Sequence, residues 1–386
     1  MRFITANQIF NGKDFLPPHS VIILNKNNTV EDLVHSQSID SSRIEIFDGI
    51  ISPGFINTHC HLELSHLKNQ INQQTGIVEF ALNVIKKRNT FSIEEQIDAM
   101  QEADLLMKKQ GIVAVGDISN DVNSIEVKQK SNLYYHTFVE LIGLNPLNAD
   151  KIFEQGVKTL QHFLQTNLSA SLAPHAPYSV SEKLIELIVK DCIESRMPTS
   201  IHNQESLAEN IFFKSKSGDF LKLYKNLGID IDYFKPTDLS SLQSVLNSFQ
   251  QQVKTLLVHN TFSNEKDIEV ANFFNKELFW CLCPNANLYI ENSLPNLDLL
   301  LTKSCQITLG TDSLASNSTL SILEEINTLM KNYPKVELDK ILKMATYNGA
   351  KFLGIDHKFG LIEKGKKPGI NLITNKQPNY SLTVIC

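Results

Sequence analysis

Eight short apolar runs, most of them separated by segments with helical periodicity, restrict the fold of this chain more than any other feature. Two of the helical segments are expected to begin with capping boxes, on the sequence pattern of Ser92 with Glu95 and of Ser179 with Glu182. Strands that alternate with helices indicate a parallel sheet, and eight of them predict an α/β fold, a closed (β/α)8 TIM barrel. The runs are 51–56, 112–115, 133–141, 170–173, 199–201, 255–258, 279–282 and 307–309.

Both ends of the chain carry short β-type runs punctuated by Asn, Gly and Pro, but neither end has a core of its own. Pairing the two ends would solve that problem. We therefore predict that residues 1–50 and 361–386 form one small β-sandwich domain, and that residues 51–360 form the barrel. The long segment 206–252, between the fifth and sixth runs, is expected to carry extra helices or a lid.

Composition and charge narrow the class of protein. With 42% hydrophobic residues in 386, the chain can build a substantial core, and its net charge of −6 disfavours a nucleic-acid-coating role. Six scattered cysteines favour a reducing compartment. The N-terminus has no signal-peptide pattern, and we find no apolar run near the ~20 residues that span a bilayer. We expect a cytoplasmic protein whose partner is a small molecule rather than nucleic acid or a membrane.

Histidine or aspartate stands at the end of four of the eight predicted strands: His59 and His61 after the first, His202 after the fifth, His259 after the sixth and Asp312 after the eighth. In a barrel, functional residues lie where strands end. His59 and His61 are two residues apart and point to the same face of a strand. A lone histidine there is more often structural, but the joint placement predicts a divalent metal site. Nitrogen and oxygen ligands without thiolate suit zinc, with ferrous iron as the alternative.

These residues fall within motifs that resemble, in order, those of the amidohydrolase superfamily. The resemblance implies a metal-bearing barrel with a small β domain from both termini, and it assigns His59, His61, His202 and Asp312 as ligands. Binuclear members often carry a carboxylated lysine at the end of strand four. This chain has Ala173-Pro174-His175 there, which favours a single metal ion. The motifs are PGFINTHCH at 53–61, PHAPY at 174–178, HNQE at 202–205, LVH at 257–259, CPNAN at 283–287, GTDS at 310–313 and ATYNGA at 345–350.

The spacing His202-x-x-Glu205 resembles the deaminase branch of that superfamily, whose members act on cytosine, guanine and adenosine-type rings. Taken alone, Glu205 would be read as a surface carboxylate. In the mechanism that the resemblance implies, metal-activated water attacks the amidine carbon and Asp312 accepts its proton. His259 orients the hydroxide, Glu205 protonates the ring nitrogen, and ammonia leaves.

The segment 61–65, followed by 78–88, resembles the subgroup that contains aminodeoxyfutalosine deaminases. It makes 6-aminodeoxyfutalosine the leading substrate and leaves S-adenosylhomocysteine, methylthioadenosine and adenosine open. Three residues are candidate substrate contacts, each with a structural alternative. Glu63 binds a ribose hydroxyl or caps a loop, Arg88 meets a substrate carboxylate or ends a solvated helix, and His175 contacts substrate or makes a structural hydrogen bond.

Two other functions are compatible with the same motifs. One is a related amidohydrolase acting on another N-heterocycle: a guanine- or cytosine-type deaminase, a chlorohydrolase or a cyclic amidase. The other is a catalytically silent barrel that serves in binding or assembly. The complete set of candidate ligands argues against the silent barrel. The resemblance also suggests a homodimer or a larger homo-oligomer.

Overall fold

The computed structural model describes residues 1–249, 253–376 and 379–386. The last residues of the segment 206–252 therefore lie outside the described part of the chain. The strands are β1 Arg2–Ile9, β2 Ser20–Leu24, β3 Val30–His35, β4 Ile44–Pro53, β5 Phe55–Cys60, β6 Ile112–Ser119, β7 Tyr134–Leu141, β8 Ser169–Pro174, β9 Thr199–Asn203, β10 Thr255–His259, β11 Leu278–Leu282, β12 Gln306–Leu309, β13 Ile370–Lys376 and β14 Asn379–Val384.

The helices follow the barrel strands or form the longer connections. They are α1 Ile77–Lys87, α2 Ile93–Lys109, α3 Ile125–Lys130, α4 Ala149–Gln165, α5 Glu182–Ser195, α6 Leu207–Ser215, α7 Phe220–Leu227, α8 Ser241–Val245, α9 Glu265–Phe274, α10 Pro284–Glu291, α11 Leu297–Thr302, α12 Ile322–Asn332, α13 Leu338–Ala345 and α14 Tyr347–Leu353. Short 3₁₀ turns lie at Ser36–Ser38, Ser41–Arg43, Leu62–Leu67, Pro146–Asn148 and Leu246–Ser248.

The eight strands β5 to β12 form the predicted barrel. Strands β5 to β8 pair in parallel and in sequence order, and so do β9 to β12. Backbone hydrogen bonds join the two halves: His202 N donates to His175 O at 2.9 Å, and Thr311 N donates to His59 O at 3.0 Å. The sheet therefore closes on itself, and the predicted TIM barrel is confirmed.

An additional sheet built from both termini accompanies the barrel, as predicted. Its six strands are joined in the order β14-β13-β4-β1-β2-β3, with β1 parallel to β4 and β4 antiparallel to β13. They make one hydrogen-bonded sheet, and Ile4, Ile22, Ile51 and Ile370 belong to its buried apolar cluster. The limits of the two domains, 1–50 with 361–386 and 51–360, stay a prediction.

The first predicted run, 51–56, is not one strand. It is divided between β4, which ends at Pro53 in the terminal sheet, and β5, which begins at Phe55 in the barrel. Gly54 separates the two because a Cβ there would lie 2.3 Å from Val113 Cγ1 and 2.9 Å from Pro368 O. The apolar pattern runs through both sheets without a gap, so the sequence alone does not reveal the break.

The segment between β9 and β10 contains α6, α7 and α8, as its length predicts. Phe212, Phe220 and Tyr224 pack there against Tyr178, which lies in the loop after β8. The Tyr224 hydroxyl donates to Tyr178 O at 2.7 Å. Aromatic packing and this hydrogen bond hold α7 over the C-terminal ends of the strands. None of the helices in the described ranges is long and apolar enough to cross a membrane.

Candidate metal and catalytic site

The four predicted metal ligands converge at the C-terminal ends of the barrel strands. His59 lies on β5, His61 directly after it, His202 on β9 and Asp312 just beyond β12. Asp312 Oδ1 lies 3.4 Å from His59 Nε2 and 3.3 Å from His61 Nε2. His61 Nε2 and His202 Nε2 are 3.2 Å apart. Residues far apart in sequence thus present their ligand atoms to one small volume.

His259, the last residue of β10, lies in the same cluster. One ligand atom from each of His59, His202, His259 and Asp312 can be chosen so that all lie within 4.8 Å of one another. The side-chain amide nitrogen of Asn287 lies 3.0 Å from His259 Nδ1. When that amide donates to Nδ1, the ring proton of the neutral imidazole is on Nε2, which faces Glu205. His259 is thereby oriented to donate a hydrogen bond into the site.

Two of these residues have backbone conformations that are unusual for non-glycine residues. His259 has φ 75° and Asp312 has φ 56°. Left-handed conformations of such residues cost about 1–3 kcal/mol and are found at functional sites. Asp312 is held in place by Ser316, whose hydroxyl donates to Oδ2, and this leaves Oδ1 to face His59 and His61. The strained backbone turns both side chains toward the centre of the cluster.

The chemistry of the cluster fits a divalent cation. Both ring nitrogens of His59 are buried and have no hydrogen-bond partner among the described residues. Burial lowers the pKa of His61 and His259 well below the usual range and that of His202 to about 4. Burial alone would raise the pKa of Asp312, but the neighbouring histidines hold it well below its usual range. Neutral imidazoles and an ionised carboxylate are the protonation states that metal binding requires.

A hydrogen bond to a residue that is not a proposed ligand fixes the orientation of His202. His202 Nδ1 lies 2.7 Å from the backbone oxygen of His175. A ring that donates its Nδ1 proton to a carbonyl keeps the lone pair on Nε2 for a metal ion. His59 differs in that burial lowers its pKa but the contact with Asp312 outweighs this and raises it.

Glu205 lies in the loop between β9 and α6, next to the cluster. Its Oε1 is 3.6 Å from His259 Nε2, and its side chain is buried. Burial raises the pKa of Glu205 well above the usual range, and the charges of Asp312 and Glu209 add to this effect. Both effects favour the protonated carboxyl, which is the form that a general acid needs.

A cavity of about 460 Å³ opens above the cluster. Its volume falls within the ~300–1,000 Å³ typical of small-molecule sites. The cluster and Glu205 line its floor, and apolar side chains of α1 and α7 line its walls. These wall residues include Phe80, Val84, Leu223 and Tyr224. The arrangement holds an apolar or aromatic molecule with its reactive atom against the polar floor.

The three predicted substrate contacts lie in different places. His175 lines the cavity, and its Nδ1 is 2.6 Å from Ser179 Oγ. Arg88 also lines the cavity, and its Nη2 donates to Glu63 Oε1 at 3.1 Å. Glu63 is buried behind Arg88, outside the cavity lining, where it also accepts the backbone N–H of Asn120 at 2.8 Å. The roles of all three in substrate binding stay predictions.

Sequence reasoning missed two charged groups. Glu140, near the end of β7, lines the cavity. Asp117, on β6, accepts the backbone N–H of Leu62 at 2.8 Å and pairs with the buried Lys128 at 2.7 Å, and so fixes the turn after His61. The signal was available, because a charged residue within or directly after an apolar strand run requires a partner or a function.

Comparison with known proteins agrees with the family that the sequence motifs resemble. The family model described as "Amidohydrolase family" matches residues 50–385. An adenosine deaminase from Helicobacter pylori is 29% identical over 332 residues, which cover 84% of this chain and 79% of that protein. An aminodeoxyfutalosine deaminase from Nitratiruptor sp. is 28% identical over 357 residues, which cover 90% of this chain and 84% of that protein. Both relatives are named as deaminases, which are hydrolases of carbon–nitrogen bonds.

Among solved structures, the aminofutalosine deaminase of Helicobacter pylori, in complex with methylthio-coformycin, has a similar fold. The TM-score is 0.82 at 24% sequence identity, and the match covers 98% of this chain and 93% of that one. The similarity therefore extends over both the barrel and the sheet from the two termini.

Proposed function

This chain belongs to the amidohydrolase family, and from that premise we propose that it is a metal-dependent deaminase that releases ammonia from an adenine-type nucleoside. The observation that carries the proposal is the position of Glu205. Its buried carboxyl, whose pKa is raised by burial, faces His259 at 3.6 Å on the floor of a cavity where neighbouring histidines lower the pKa of Asp312. A carboxyl group with a raised pKa can donate a proton, and a nearby carboxylate with a lowered pKa can accept one. The pair therefore suits a reaction that needs both a general acid and a general base.

We assign one divalent metal ion to His59, His61, His202 and Asp312, with zinc favoured by the donor set and iron as the alternative. Such an ion supplies Lewis acidity that lowers the pKa of water from ~15.7 to about 7. Asp312 accepts the proton of the attacking water through Oδ1, while Ser316 holds Oδ2. The strained backbone of Asp312 keeps the acceptor oxygen at the cluster.

His259 and Glu205 act on opposite partners in the reaction. The Nε2 proton of His259 hydrogen-bonds to the attacking oxygen and directs it to the ring carbon. Glu205 gives its proton to the ring nitrogen next to that carbon, so that negative charge does not accumulate on the ring. Asp312 then passes the proton it took from water to the amino group, the C–N bond breaks and ammonia leaves, and the proton still on the added oxygen returns to Glu205 as the carbonyl forms. The apolar walls formed by α1 and α7 exclude bulk water from the ring.

For the substrate, 6-aminodeoxyfutalosine is the leading candidate, with S-adenosylhomocysteine, methylthioadenosine and adenosine as alternatives. The support is the nature of the relatives, which are adenosine and aminodeoxyfutalosine deaminases. The cavity wall also favours an aromatic or apolar group, because Phe80 and Tyr224 line it. We further propose that the enzyme works in the cytoplasm as a homodimer or a larger homo-oligomer.

The test is ammonia release by the purified, metal-loaded protein from a panel of adenosine derivatives. Guanine, cytosine, a chlorinated triazine and a cyclic amide are included in the same panel. Release from at least one 6-aminopurine nucleoside, with inosine-type product, is the expected result. Activity confined to the other compounds would show that a different hydrolase uses this site. A protein that binds no stoichiometric metal and turns over none of them would be a silent barrel.

A further inference from the structure

Glu140 lines the cavity, and the proposed chemistry does not use its carboxyl group. Its side chain is only 3% exposed, and its Oε1 is buried without a hydrogen-bond partner in the described part of the chain. Its Oε2 accepts a hydrogen bond from Asn120 Nδ2 at 2.9 Å, which fixes the rotamer. A buried acceptor without a partner is unfavourable, and because Glu140 lines the cavity, a ligand bound there is the partner that remains for it.

A network behind Glu140 makes its position rigid. Arg88 donates from Nη2 to Glu63 at 3.1 Å and from Nη1 to Asn120 Oδ1 at 3.3 Å. The backbone N–H of Asn120 donates to Glu63 Oε2 at 2.8 Å. Glu63, predicted from the sequence as a substrate contact, thus anchors Arg88 and Asn120, and Asn120 in turn holds Glu140. The network ends at Glu140, which lines the cavity and whose Oε1 has no hydrogen-bond partner among the described residues.

The same oxygen is not needed to orient the metal ligand beside it. Glu140 Oε1 lies 3.6 Å from His202 Nδ1, which is beyond hydrogen-bond distance. His202 Nδ1 instead lies 2.7 Å from His175 O, and this carbonyl takes the single proton that the neutral ring has at Nδ1. Glu140 is therefore left as an acceptor for something that enters the cavity.

We propose that Glu140 accepts a hydrogen bond from a sugar hydroxyl of the nucleoside and so selects substrates that carry it. The inference rests on the proposed function, because that function puts the amino group of the purine at the metal cluster. The donors that the nucleoside has left are then its sugar hydroxyls. Glu140 lies on the Nδ1 side of His202, so the His202 ring separates it from the cluster. Its hydrogen-bond network extends to Arg88, which is partly exposed. The sugar lies on this path between floor and solvent.

A polar acceptor in a buried site discriminates sharply between substrates. A site built to hydrogen-bond a hydroxyl leaves its own group unpaired when the hydroxyl is missing, and this penalty is larger than that of a missing methylene. Glu140 is therefore expected to act on specificity, mainly through KM, while Glu205 acts on kcat.

The experiment compares adenosine with 2′,3′-dideoxyadenosine in the metal-loaded wild type, Glu140→Leu and Glu140→Gln. We expect the wild type to lose about 10- to 100-fold in kcat/KM when the hydroxyls are removed, mostly through KM. In Glu140→Leu the two substrates are expected to react about equally. Glu140→Gln keeps the shape and is expected to give an intermediate ratio, so a folding defect in the leucine variant does not decide the result.

Glu325→Gln is the matched control, because Glu325 is buried and hydrogen-bonded to Asn285 and Asn317 but does not line the cavity. It is expected to keep the wild-type ratio. Binding of inosine and 2′,3′-dideoxyinosine, measured by calorimetry on the same proteins, gives a second ratio that does not depend on turnover. Metal content, measured in parallel, should be unchanged in both Glu140 variants.

The outcomes separate the two proposals. If the wild type releases ammonia but the ratio is the same in Glu140→Leu, the sugar contact is overturned and the deaminase function stands. Equal losses on both sugars together with a loss of metal would mean that Glu140 has a structural role, which also overturns it. If no adenosine derivative reacts, the proposed function fails, and the inosine binding ratio then decides the sugar contact alone.

Discussion

Glu205 Oε1 lies 3.6 Å from His259 Nε2, so the proposed acid and the proposed orienting imidazole face each other across the floor of the cavity. The separation is longer than a hydrogen bond, and neither group neutralises the other. A substrate ring that enters the cavity therefore finds both groups available, one for its nitrogen and one for the attacking oxygen.

Replacement of Glu205 by Gln removes the proton donor and preserves the shape of the side chain. We expect turnover to fall by about 10²- to 10⁴-fold, because this is the usual contribution of a positioned general acid, while the metal stays bound. Ammonia release and metal content measured on the same sample check this. Glu325→Gln is the control, since Glu325 is also buried and accepts hydrogen bonds from Asn285 and Asn317 without lining the cavity. Near wild-type turnover in Glu205→Gln would contradict the assignment.

Removal of the metal should lower thermal stability as well as activity. A ligand that binds only the folded state stabilises it by about 2.7 kcal/mol when present at 100 times its Kd. We expect a chelator to abolish ammonia release and lower Tm, and stoichiometric zinc to restore both. In His59→Ala the zinc-dependent rise of Tm should be lost. A variant that still shows the full rise would place the metal elsewhere.

The buried ion pair between Asp117 and Lys128 should be costly to break. Both side chains are fully buried, and their charged atoms are 2.7 Å apart. In Lys128→Met the carboxylate is left without its partner, and we expect the free energy of unfolding in denaturant to fall by about 3–5 kcal/mol. Lys130→Met removes the exposed pair with Glu126 on the same helix and should cost at most about 1 kcal/mol. Equal effects of the two changes would refute this reading.

His136 should contribute to acid destabilisation. It is buried between Ser169 and Ser171, and burial, with the charge of Lys128 adding to it, lowers its pKa to about 3. The unfolded chain takes up this proton near pH 6.5, so between about pH 6.5 and 3 the unfolded state binds more protons and stability falls as pH falls.

His136→Gln tests this contribution. The slope of unfolding free energy against pH should become shallower by up to about 1.4 kcal/mol per pH unit within that window and stay the same above it. Denaturant titrations of the metal-free wild type and variant at a series of pH values measure the difference. Identical slopes would show that His136 does not titrate as described.

The sequence was sufficient to predict the barrel and the sheet from both termini, because both depend on the order of apolar runs along the chain. It was also sufficient to predict that four side chains converge, namely those of His59, His61, His202 and Asp312. Apolar runs alternate with helices, and in a barrel every strand ends on the same face. The break at Gly54 could not be predicted, because both sides of it are apolar strand and only the approach of Val113 and Pro368 requires a glycine.

Side-chain partners were the other part that the sequence did not reveal. Glu63 lies two residues after His61, and the sequence left open whether it binds a ribose hydroxyl or caps a loop; its contacts with Arg88 and Asn120 could not be predicted. Glu140 lies inside an apolar strand run, and no motif marks it. Which side chains form hydrogen bonds or ion pairs depends on the spacing of neighbouring strands and on side-chain rotamers. A single segment of sequence does not determine either.

Closure of the barrel through β5 and β12 has a consequence for synthesis of the protein on the ribosome. Asn57 and Thr311, near the proposed ligands His59 and Asp312, are hydrogen-bonded at 2.8 Å across a separation of 254 residues. The proposed coordination sphere is therefore complete only after nearly the whole barrel has been translated. A nascent chain can gather His59, His61 and His202 early, but it acquires the anionic ligand last. We therefore expect tight metal binding only after the first and last barrel strands have paired. An incomplete nascent chain is expected to bind the metal ion weakly.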